Sequence, residues 1–225
     1  LSGAARVSGW MLGSLLLALL ALMPVGAVVF FAIDSSGDIW SHLVRTSLFG
    51  YISNTFWLLL GVGVSVFLTG VSTAWLVTMC RFPGRRVFEW LLLFPLAIPA
   101  YVIAYAYTDF LEYAGPVQGL LRALFGWQSA REYFFPEIRS LGGAMVFMGL
   151  VLYPYVYLLA RSAFLEQSVN VLEVSRVLGR GPWRTFSTVS LPAARPAIVV
   201  GVSLALMETL NDYGTVDFFA VYTMT

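Results

Sequence analysis

Glu208 and Asp212 are the acidic side chains whose types and positions most directly suggest chemistry. They lie in the stretch Met207–Asp217, directly after a long apolar run, and Asn211 lies beside them. Residues four apart on a helix share one face, so the two carboxylates would form a polar patch. Ionisable groups inside a membrane span are costly and usually face a bundle interior or a water-filled path. The pattern predicts either a translocation pathway or gate, or helix-end residues held at the membrane interface by hydrogen bonds.

The residues needed for enzymatic chemistry are nearly absent. The chain has one histidine, His42, and one cysteine, Cys80, which excludes a cluster of His and Cys metal ligands and a Cys/His or Ser/His/Asp nucleophile. All 13 basic residues are arginine, whereas a P-loop for ATP requires lysine. We therefore expect no catalytic residue, no metal site and no cofactor. Any ATP hydrolysis is expected on a separate subunit.

A polar stretch between two apolar segments is suited to mechanical contact. In it, Glu173 precedes Gly179 by five intervening residues, and Leu191 and Pro192 follow after eleven more. By itself this placement fits either a structural motif or an ordinary solvated loop.

The same stretch predicts a helix–turn–helix elbow. Val171–Leu178 has helical periodicity, and Gly179 suits the left-handed conformation that ends a helix. Pro182 suits the first position of a second short helix, Trp183–Val189, which Leu191-Pro192 should stop before the next apolar segment. An elbow of this kind can carry a rigid push between a cytosolic partner and membrane helices. The side chains that it offers to such a partner are Glu173, Arg176, Arg180, Arg184, Trp183 and Phe186.

The composition indicates that the acidic residues and the elbow belong to an integral membrane protein. Hydrophobic residues make up 59% of the 225 residues, charged residues make up 11%, and the mean hydropathy is +0.82. A soluble domain usually has about 25% charged residues. The net charge of +1 gives no basis for nucleic-acid binding, and we expect none.

Five segments are apolar enough for membrane spans, each of which needs roughly 20 mostly apolar residues. They are about Trp10–Ile33, Ser53–Cys80, Val87–Phe110, Leu141–Ala160 and Pro196–Phe218. The first segment is too long for the apolar region of a signal peptide, so we expect a spanning helix there.

Prolines inside these segments predict kinks or breaks, which neighbouring helices can tolerate. Pro24 lies in the first segment and Pro154 in the fourth, and Pro95 and Pro99 flank a bend in the third. The amphipathic piece Ile39–Gly50 is expected at the membrane interface before the second span.

The arginines predict the orientation of the spans. One side has Arg6, Arg81, Arg85, Arg86, Arg161, Arg176, Arg180, Arg184 and Arg195, and the other has Arg45, Arg122, Arg131 and Arg139. The arginine-rich side should be cytoplasmic. This places the amino terminus and the Glu173 loop in the cytoplasm. The opposite side then has the long segment Leu111–Arg139, with a short helix at Val117–Phe125 ended by Gly126.

The spacing from Glu173 to Pro192 resembles the EAA loop of permease subunits in bacterial ATP-binding-cassette importers. In that family the loop is the cytoplasmic contact with the ATPase. Val174 and Ser175 stand where the family has alanines, and Val189 stands where isoleucine is usual. These changes are small or conservative and leave the elbow intact.

The resemblance implies an all-α, polytopic transmembrane helical bundle with a type I ABC importer permease-like fold. It implies a coupling loop at about residues 162–195. The residues that it assigns to ATPase coupling are Glu173, Gly179, Arg180, Pro182, Trp183, Leu191 and Pro192. The possible translocation pathway consists of Glu208, Asn211 and Asp212.

Two further runs, ETLNDYGTVDFF and SLPAARPAI, resemble the ferric-iron branch of this family. Members of that branch are similar to two fused halves, so residues 1–225 would be one transmembrane domain, the amino-terminal half of a longer permease. The start at Leu1 and the end in an apolar run also lead us to expect a fragment.

The partners implied by the resemblance are cytoplasmic ABC ATPase subunits, a periplasmic substrate-binding protein and the lipid bilayer of the bacterial inner membrane. Thiamine and phosphonate permeases look related, so these or other small solutes stay open beside iron. A secondary transporter driven by an ion gradient and a non-transporting membrane scaffold also stay open.

Overall fold

A computed structural model describes residues 9–34, 45–167, 174, 175, 177, 179 and 181–224. These residues form helices and connecting turns, with no strand among them, which confirms the all-α class. In chain order the helices are α1 (Gly9–Asp34), α2 (Leu48–Met79), α3 (Arg85–Leu91), α4 (Ala100–Leu111), α5 (Pro116–Phe125), α6 (Leu141–Leu165), α7 (Pro182–Thr185), α8 (Leu191–Asn211) and α9 (Tyr213–Phe218). A 3₁₀ segment, Phe94–Ala97, precedes α4, and a π-helical segment, Phe186–Ser190, joins α7 to α8.

Helix α1 belongs to one compact unit, and the residues from Gly50 onward form a second. The helix covers the first predicted span and continues through Pro24. Its apolar stretch, Gly13–Ala27, is shorter than a full span. That α1 crosses the membrane, and that the whole chain is one domain, therefore stay predictions.

Helix α2 begins within the interfacial piece predicted at Ile39–Gly50. Residues 35–44 lie outside the described residues, and the last three residues of the piece belong to the first turn of α2. Arg45 and Thr46 are helical, and a turn at Ser47 separates them from α2. The interfacial placement of the piece stays a prediction.

Helices α2 and α6 and the helical stretch Pro182–Asn211 are each long and apolar enough to cross a membrane. The spans predicted at Ser53–Cys80 and Leu141–Ala160 are confirmed, with α6 reaching Leu165. Helix α6 has no break at Pro154, because neighbouring helices can compensate for the lost backbone hydrogen bond.

The third predicted span, Val87–Phe110, is broken rather than continuous. Helix α3 with the 3₁₀ segment forms one arm, α4 with α5 forms the other, and the two arms are bent by 99°. The bend lies where Pro95 and Pro99 predict it, because proline has no N–H for the helical hydrogen-bond ladder. The described residues contain three spans, or four if these two arms make one crossing.

Tyrosines of α6 stabilise the arm that precedes this bend. In a regular helix the N–H of Leu96 would bond to the Leu92 carbonyl. Here it bonds to the Leu93 carbonyl instead. The Tyr153 hydroxyl donates to the Leu92 carbonyl over 2.8 Å, and the Tyr157 hydroxyl donates to the Glu89 carbonyl over 3.2 Å. An unsatisfied backbone group in lipid costs several kcal/mol, so these hydroxyls make the break tolerable.

The fifth predicted span, Pro196–Phe218, is wrong at both ends. The helix begins earlier and runs without a break from Pro182 to Asn211. It ends at Asp212, whose φ of −89° and ψ of 72° are not helical, and α9 follows as a separate short helix.

The predicted helix stop at Leu191-Pro192 is also wrong, because a π-helical segment just before Leu191 lets the helix continue. A proline inside an α-helix clashes with the carbonyl four residues earlier. The π-helical segment before Leu191 changes the bonding to i→i+5. Gln167 Nε2 also donates to the Ser190 carbonyl over 2.9 Å. The chain therefore passes Pro192 on a helical path.

Helix α6 lies at the centre of the second unit. In the most apolar 18 residues of α6, 56% of the residues are buried, against 28% for α2 and for the last spanning helix. Glycines allow both neighbours to approach it closely. A Cβ added at Gly201 of α8 would lie 2.9 Å from Val156 Cα, and one added at Gly70 of α2 would lie 2.7 Å from Val156 Cβ.

The short helix predicted at Val117–Phe125 is confirmed as α5. It starts one residue earlier, at Pro116, and ends at Gly126, whose φ of 73° is left-handed. The segment therefore ends where a glycine allows the chain to reverse.

Candidate functional site

The first arm of the elbow is described only in part. Val174, Ser175 and Val177 are helical, which agrees with the predicted helix, whereas Glu173 and Arg180 lie outside the described residues. Ser175 is buried, and its Oγ lies 2.9 Å from Oγ1 of Thr185 in the second arm. This buried hydrogen bond fixes the two arms to each other.

Gly179 has the left-handed conformation predicted for it, with a φ of 74°. A Cβ added there would meet nothing within 4 Å. The need for glycine therefore comes from the backbone conformation, which costs other L-residues about 1–2 kcal/mol, and not from lack of space.

The second arm begins as predicted. Gly181 precedes the helix with an extended backbone, and Pro182 is the first residue of α7. The predicted short helix Trp183–Val189 is present, but it continues through the π-helical segment into α8. Leu191 and Pro192 therefore lie within one continuous helical stretch, and a movement of the second arm is a movement of α8 itself.

Both aromatic side chains of the second arm contact α2, but only Trp183 stays largely exposed. Both rings pack on Trp75 of α2, with centroid distances of 5.1 Å for Trp183 and 5.0 Å for Phe186. Phe186 is half-buried and also contacts Phe164 of α6. Its expected role as a free anchor for a partner is wrong, because the ring is used inside the bundle.

An apolar surface stays exposed on the elbow. Trp183 is 72% exposed, Val177 is 86% exposed and Val174 is 58% exposed. Val174 and Val177 are three residues apart, so they lie on one side of the first arm. Arg184, beside Trp183, is also exposed. This surface combines apolar side chains with a cation, as a protein-binding surface does.

The acidic residues of the last span do not share one continuous helical face. Glu208 is exposed on α8, but the helix ends at Asn211. Asp212 caps α9, where its Oδ1 accepts from the Thr215 N–H over 3.0 Å and its Oδ2 accepts from Thr215 Oγ1 over 2.5 Å. The predicted patch is wrong for Asp212, whose carboxylate is used to begin a helix.

The other polar side chains of this region are placed differently. Asn211 bonds back to the Met207 carbonyl with its Nδ2 over 3.0 Å. Tyr155 of α6 lies near enough to Glu208 for an electrostatic interaction. Tyr155 and Glu208 are far apart in the chain, so no local sequence pattern predicts that they lie near each other.

A charged cluster at the other end of α6 was not foreseen. The Glu89 carboxylate lies between Arg85, at 3.3 Å, and Arg161, at 3.4 Å. The i, i+4 spacing of Arg85 and Glu89 was a signal for the first pair. The second pair depends on how α3 packs against α6.

The segment between α4 and α6 lines a cavity of about 630 Å³. Its polar lining includes the ion pair of Arg139 Nε with Glu112 Oε1, at 3.0 Å. Gln118 Oε1 accepts from the Tyr133 hydroxyl over 2.6 Å on the same lining. Among the described residues, no three His, Cys, Asp or Glu side chains form a group that could hold a metal ion.

Comparison with known proteins gives a family match over most of the chain. The model of the family described as "Binding-protein-dependent transport system inner membrane component" matches residues 66–225. The matched region includes the elbow from Glu173 to Pro192 and the polar residues from Glu208 to Asp212.

Curated relatives show modest identity over long alignments. The molybdenum transport system permease protein ModB of Escherichia coli K12 is 29% identical over 150 residues, covering 67% of this chain and 62% of that protein. A putative 2-aminoethylphosphonate transport system permease protein of Salmonella choleraesuis is 29% identical, covering 93% of this chain and 74% of that protein. The sulfate transport system permease protein CysT of E. coli K12 is 27% identical, with coverages of 92% and 72%.

Proposed function

Because this chain belongs to the family of binding-protein-dependent transport system inner membrane components, we propose that it is a permease subunit of an ATP-driven importer. The observation that carries the proposal is the elbow. It combines a left-handed Gly179 with a second arm that is continuous with α8. A force applied to the second arm would move a membrane-spanning helix directly.

Contacts inside the chain connect the two arms of the elbow to each other and to the membrane helices. The hydrogen bond between Ser175 and Thr185 connects its two arms. The rings of Trp183 and Phe186 connect the second arm to Trp75 on α2. The elbow therefore has direct contact with all three unbroken spans: with α2 through Trp75, with α6 through Phe164, and with α8 by helical continuity.

The proposed cytoplasmic partner is an ABC ATPase subunit. The sequence has no lysine and therefore no P-loop, so ATP would be hydrolysed on that partner. The exposed side chains Val174, Val177 and Trp183 would provide its apolar contacts, and Arg184 would provide charge. Glu173 and Arg180 are proposed as further contacts from the resemblance alone.

The arginine distribution supports the proposed orientation, with the amino terminus and the elbow in the cytoplasm. The segment between α4 and α6 then faces the periplasm. We propose that a substrate-binding protein docks on this segment, whose cavity has Glu112 and Arg139 on its lining. Glu208 is the proposed pathway residue, because it is an exposed carboxylate on a spanning helix.

The substrate prediction is less specific than the transport prediction. The resemblance of two sequence runs predicts ferric iron, and we keep it as a proposal. The relatives described above are named for molybdenum, sulfate and 2-aminoethylphosphonate transport, which favours a small oxyanion. Both solute classes belong in the same experiment.

Transport by the full-length protein, reconstituted in proteoliposomes with its ATPase and binding protein, tests the proposal. We expect uptake of one of four labelled solutes (ferric iron, molybdate, sulfate or 2-aminoethylphosphonate) only when ATP is present on the elbow side. A Glu208→Gln variant should lower the uptake rate without lowering the melting temperature.

The same vesicles distinguish the alternatives. Uptake that follows an imposed ion gradient without ATP would overturn the importer and support a secondary transporter. Absence of flux for all four solutes, together with absence of ATPase binding, would support a scaffold. ATP-dependent flux that is unchanged in Glu208→Gln would leave the importer standing and exclude Glu208 from the pathway.

A further inference from the structure

An apolar groove runs along the outside of the second unit between α2 and α8. The part of the groove nearer Leu206 has a volume of about 500 Å³. It is lined by Phe56, Leu59, Leu60, Gly63, Val64, Phe67, Val202 and Leu206. An adjoining part of about 430 Å³ shares Phe67 and Val202 and continues to Arg195. We name the two parts together the α2/α8 groove.

The groove is apolar along its length and basic at one end. Arg195 is exposed, and it forms no ion pair with any residue in the described part of the chain. Every other side chain of the groove is apolar except that of Ser203. A ligand that matches this pattern has one anionic group and a long apolar portion.

The length of the groove matches one leaflet of a membrane. Arg195 and Leu206 are eleven residues apart on α8, which at about 1.5 Å per residue is roughly 16 Å along the helix axis. The hydrocarbon region of a bilayer is about 30 Å thick, so one leaflet contributes about 15 Å. An acyl chain that starts near Arg195 would reach Leu206 near the bilayer midplane.

The position of Arg195 agrees with the membrane orientation. Arg195 lies one turn after Leu191, where the helix leaves the elbow, and long arginine side chains commonly extend to the membrane interface. The arginine-rich side of this chain is expected in the cytoplasm. The cytoplasmic leaflet contains anionic lipids that attract such cations. A lipid phosphate therefore has both the charge and the depth needed to meet Arg195.

We propose that the α2/α8 groove binds one anionic phospholipid of the cytoplasmic leaflet, with its phosphate on Arg195 and an acyl chain along Phe67 and Val202. The bound lipid fills a surface between the two helices that contact the elbow through Trp75 and through the continuous helix of α7 and α8. The site is separate from Glu208 and from the exposed elbow surface.

Native mass spectrometry of the full-length protein tests the proposal. The protein is purified from nanodiscs that contain equal amounts of phosphatidylglycerol and phosphatidylethanolamine. We expect one retained lipid per chain, with a preference for phosphatidylglycerol. Arg195→Gln should reduce that preference about fivefold, the equivalent of about 1 kcal/mol for one cation near the surface.

Matched variants separate charge from shape. Arg86→Gln removes another exposed arginine on α3, outside the groove, and should leave the preference unchanged. Gly63→Leu should fill the groove and abolish retention of either lipid. A Cβ at Gly63 lies at an ordinary 3.5 Å from Leu206, so the variant should fold. Leu68→Trp, on α2 but outside the groove lining, is its control.

Three outcomes would overturn the proposal. The first is equal retention of the two lipids by the unchanged protein, and the second is an unchanged preference in Arg195→Gln. The third is that another protein segment fills the groove. In that case a cysteine introduced by Val64→Cys, in a Cys80→Ser background, would crosslink to another helix in native membranes. A stable fold of each variant is checked by its melting temperature, so loss of lipid is not confused with unfolding.

Discussion

At the scale of single residues, backbone conformation and hydrogen bonding decide what the candidate side chains do. Gly179 is needed for its left-handed φ of 74°. Asp212 uses both carboxylate oxygens to cap α9, whereas Glu208 is exposed on α8. Two acids that look equivalent in the sequence therefore have a structural role in one case and a proposed pathway role in the other.

Gly179→Val should uncouple ATP hydrolysis from transport. A β-branched residue with positive φ is penalised by about 1–2 kcal/mol, so the turn would shift and the second arm would lose its position. ATPase activity that no longer responds to substrate and binding protein, measured in proteoliposomes, is the expected result.

Gly181→Ala is the matched control for this change. Gly181 also has open space around it, but its φ of −68° suits any residue. Coupling should stay normal in Gly181→Ala. Normal coupling in Gly179→Val as well would show that the left-handed turn is not needed for force transmission.

Asp212→Ala should lower the free energy of unfolding by about 1 kcal/mol, because the first turn of α9 loses its cap. Asp212→Asn should retain most of the stability, since asparagine caps helices equally well. Thermal unfolding in detergent measures both. Asp217→Ala, an exposed acid in the same short helix, is the control, and an equal loss in that variant would contradict the assigned role.

At the scale of helices, breaks and close approaches are stabilised by neighbours. The two arms around Pro95 and Pro99 are bent by 99°, and tyrosines of α6 satisfy backbone carbonyls of the first arm. The π-helical segment allows the last span to pass Pro192. The bend therefore arises from local proline chemistry and is stabilised by contacts from a neighbouring helix.

Tyr153→Phe should destabilise the protein by about 0.5–1.5 kcal/mol, because the Leu92 carbonyl loses its donor. The ring would still fill its place against α3, so packing should be retained. The melting temperature in detergent should fall. Tyr101→Phe, on an exposed tyrosine of α4, should leave it unchanged, and identical melting curves for both variants would rule out the role of the Tyr153 hydroxyl.

At the scale of the whole molecule, the elbow, α2, α6 and α8 form one connected path. Trp75 brings the second arm onto α2, and Gly201 and Gly70 bring α8 and α2 onto the central α6. A partner that moves the elbow would therefore act on the helices around α6 together. This connectivity is what the proposed importer requires.

Trp183→Ala should weaken binding of the ATPase subunit by about 2 kcal/mol, or roughly 30-fold in Kd, as expected for a central aromatic contact. Affinity measured between the purified permease and its ATPase checks this. Trp90→Ala, which removes another exposed tryptophan from α3, should not change the affinity. Equal binding by both variants would place the ATPase contact elsewhere.

Much of the fold followed from local properties of the chain. Apolar length predicted the helices α2 and α6, because a span needs enough apolar residues whatever packs around it. Proline chemistry predicted the bend at Pro95 and Pro99 and the helix start at Pro182. Glycine stereochemistry predicted the turn at Gly179. In each case the cause lies within a few residues of its effect.

The sequence by itself thus determined the membrane class, the bend and the elbow, whereas tertiary structure decided which side chains remain free. Phe186 faces Trp75 and Phe164 inside the bundle, and the Glu89 carboxylate lies between Arg85 and Arg161. The contacts of Phe186 and that of Arg161 join residues far apart in the chain. Their partners depend on how whole helices pack, so no local pattern of residue types contains them.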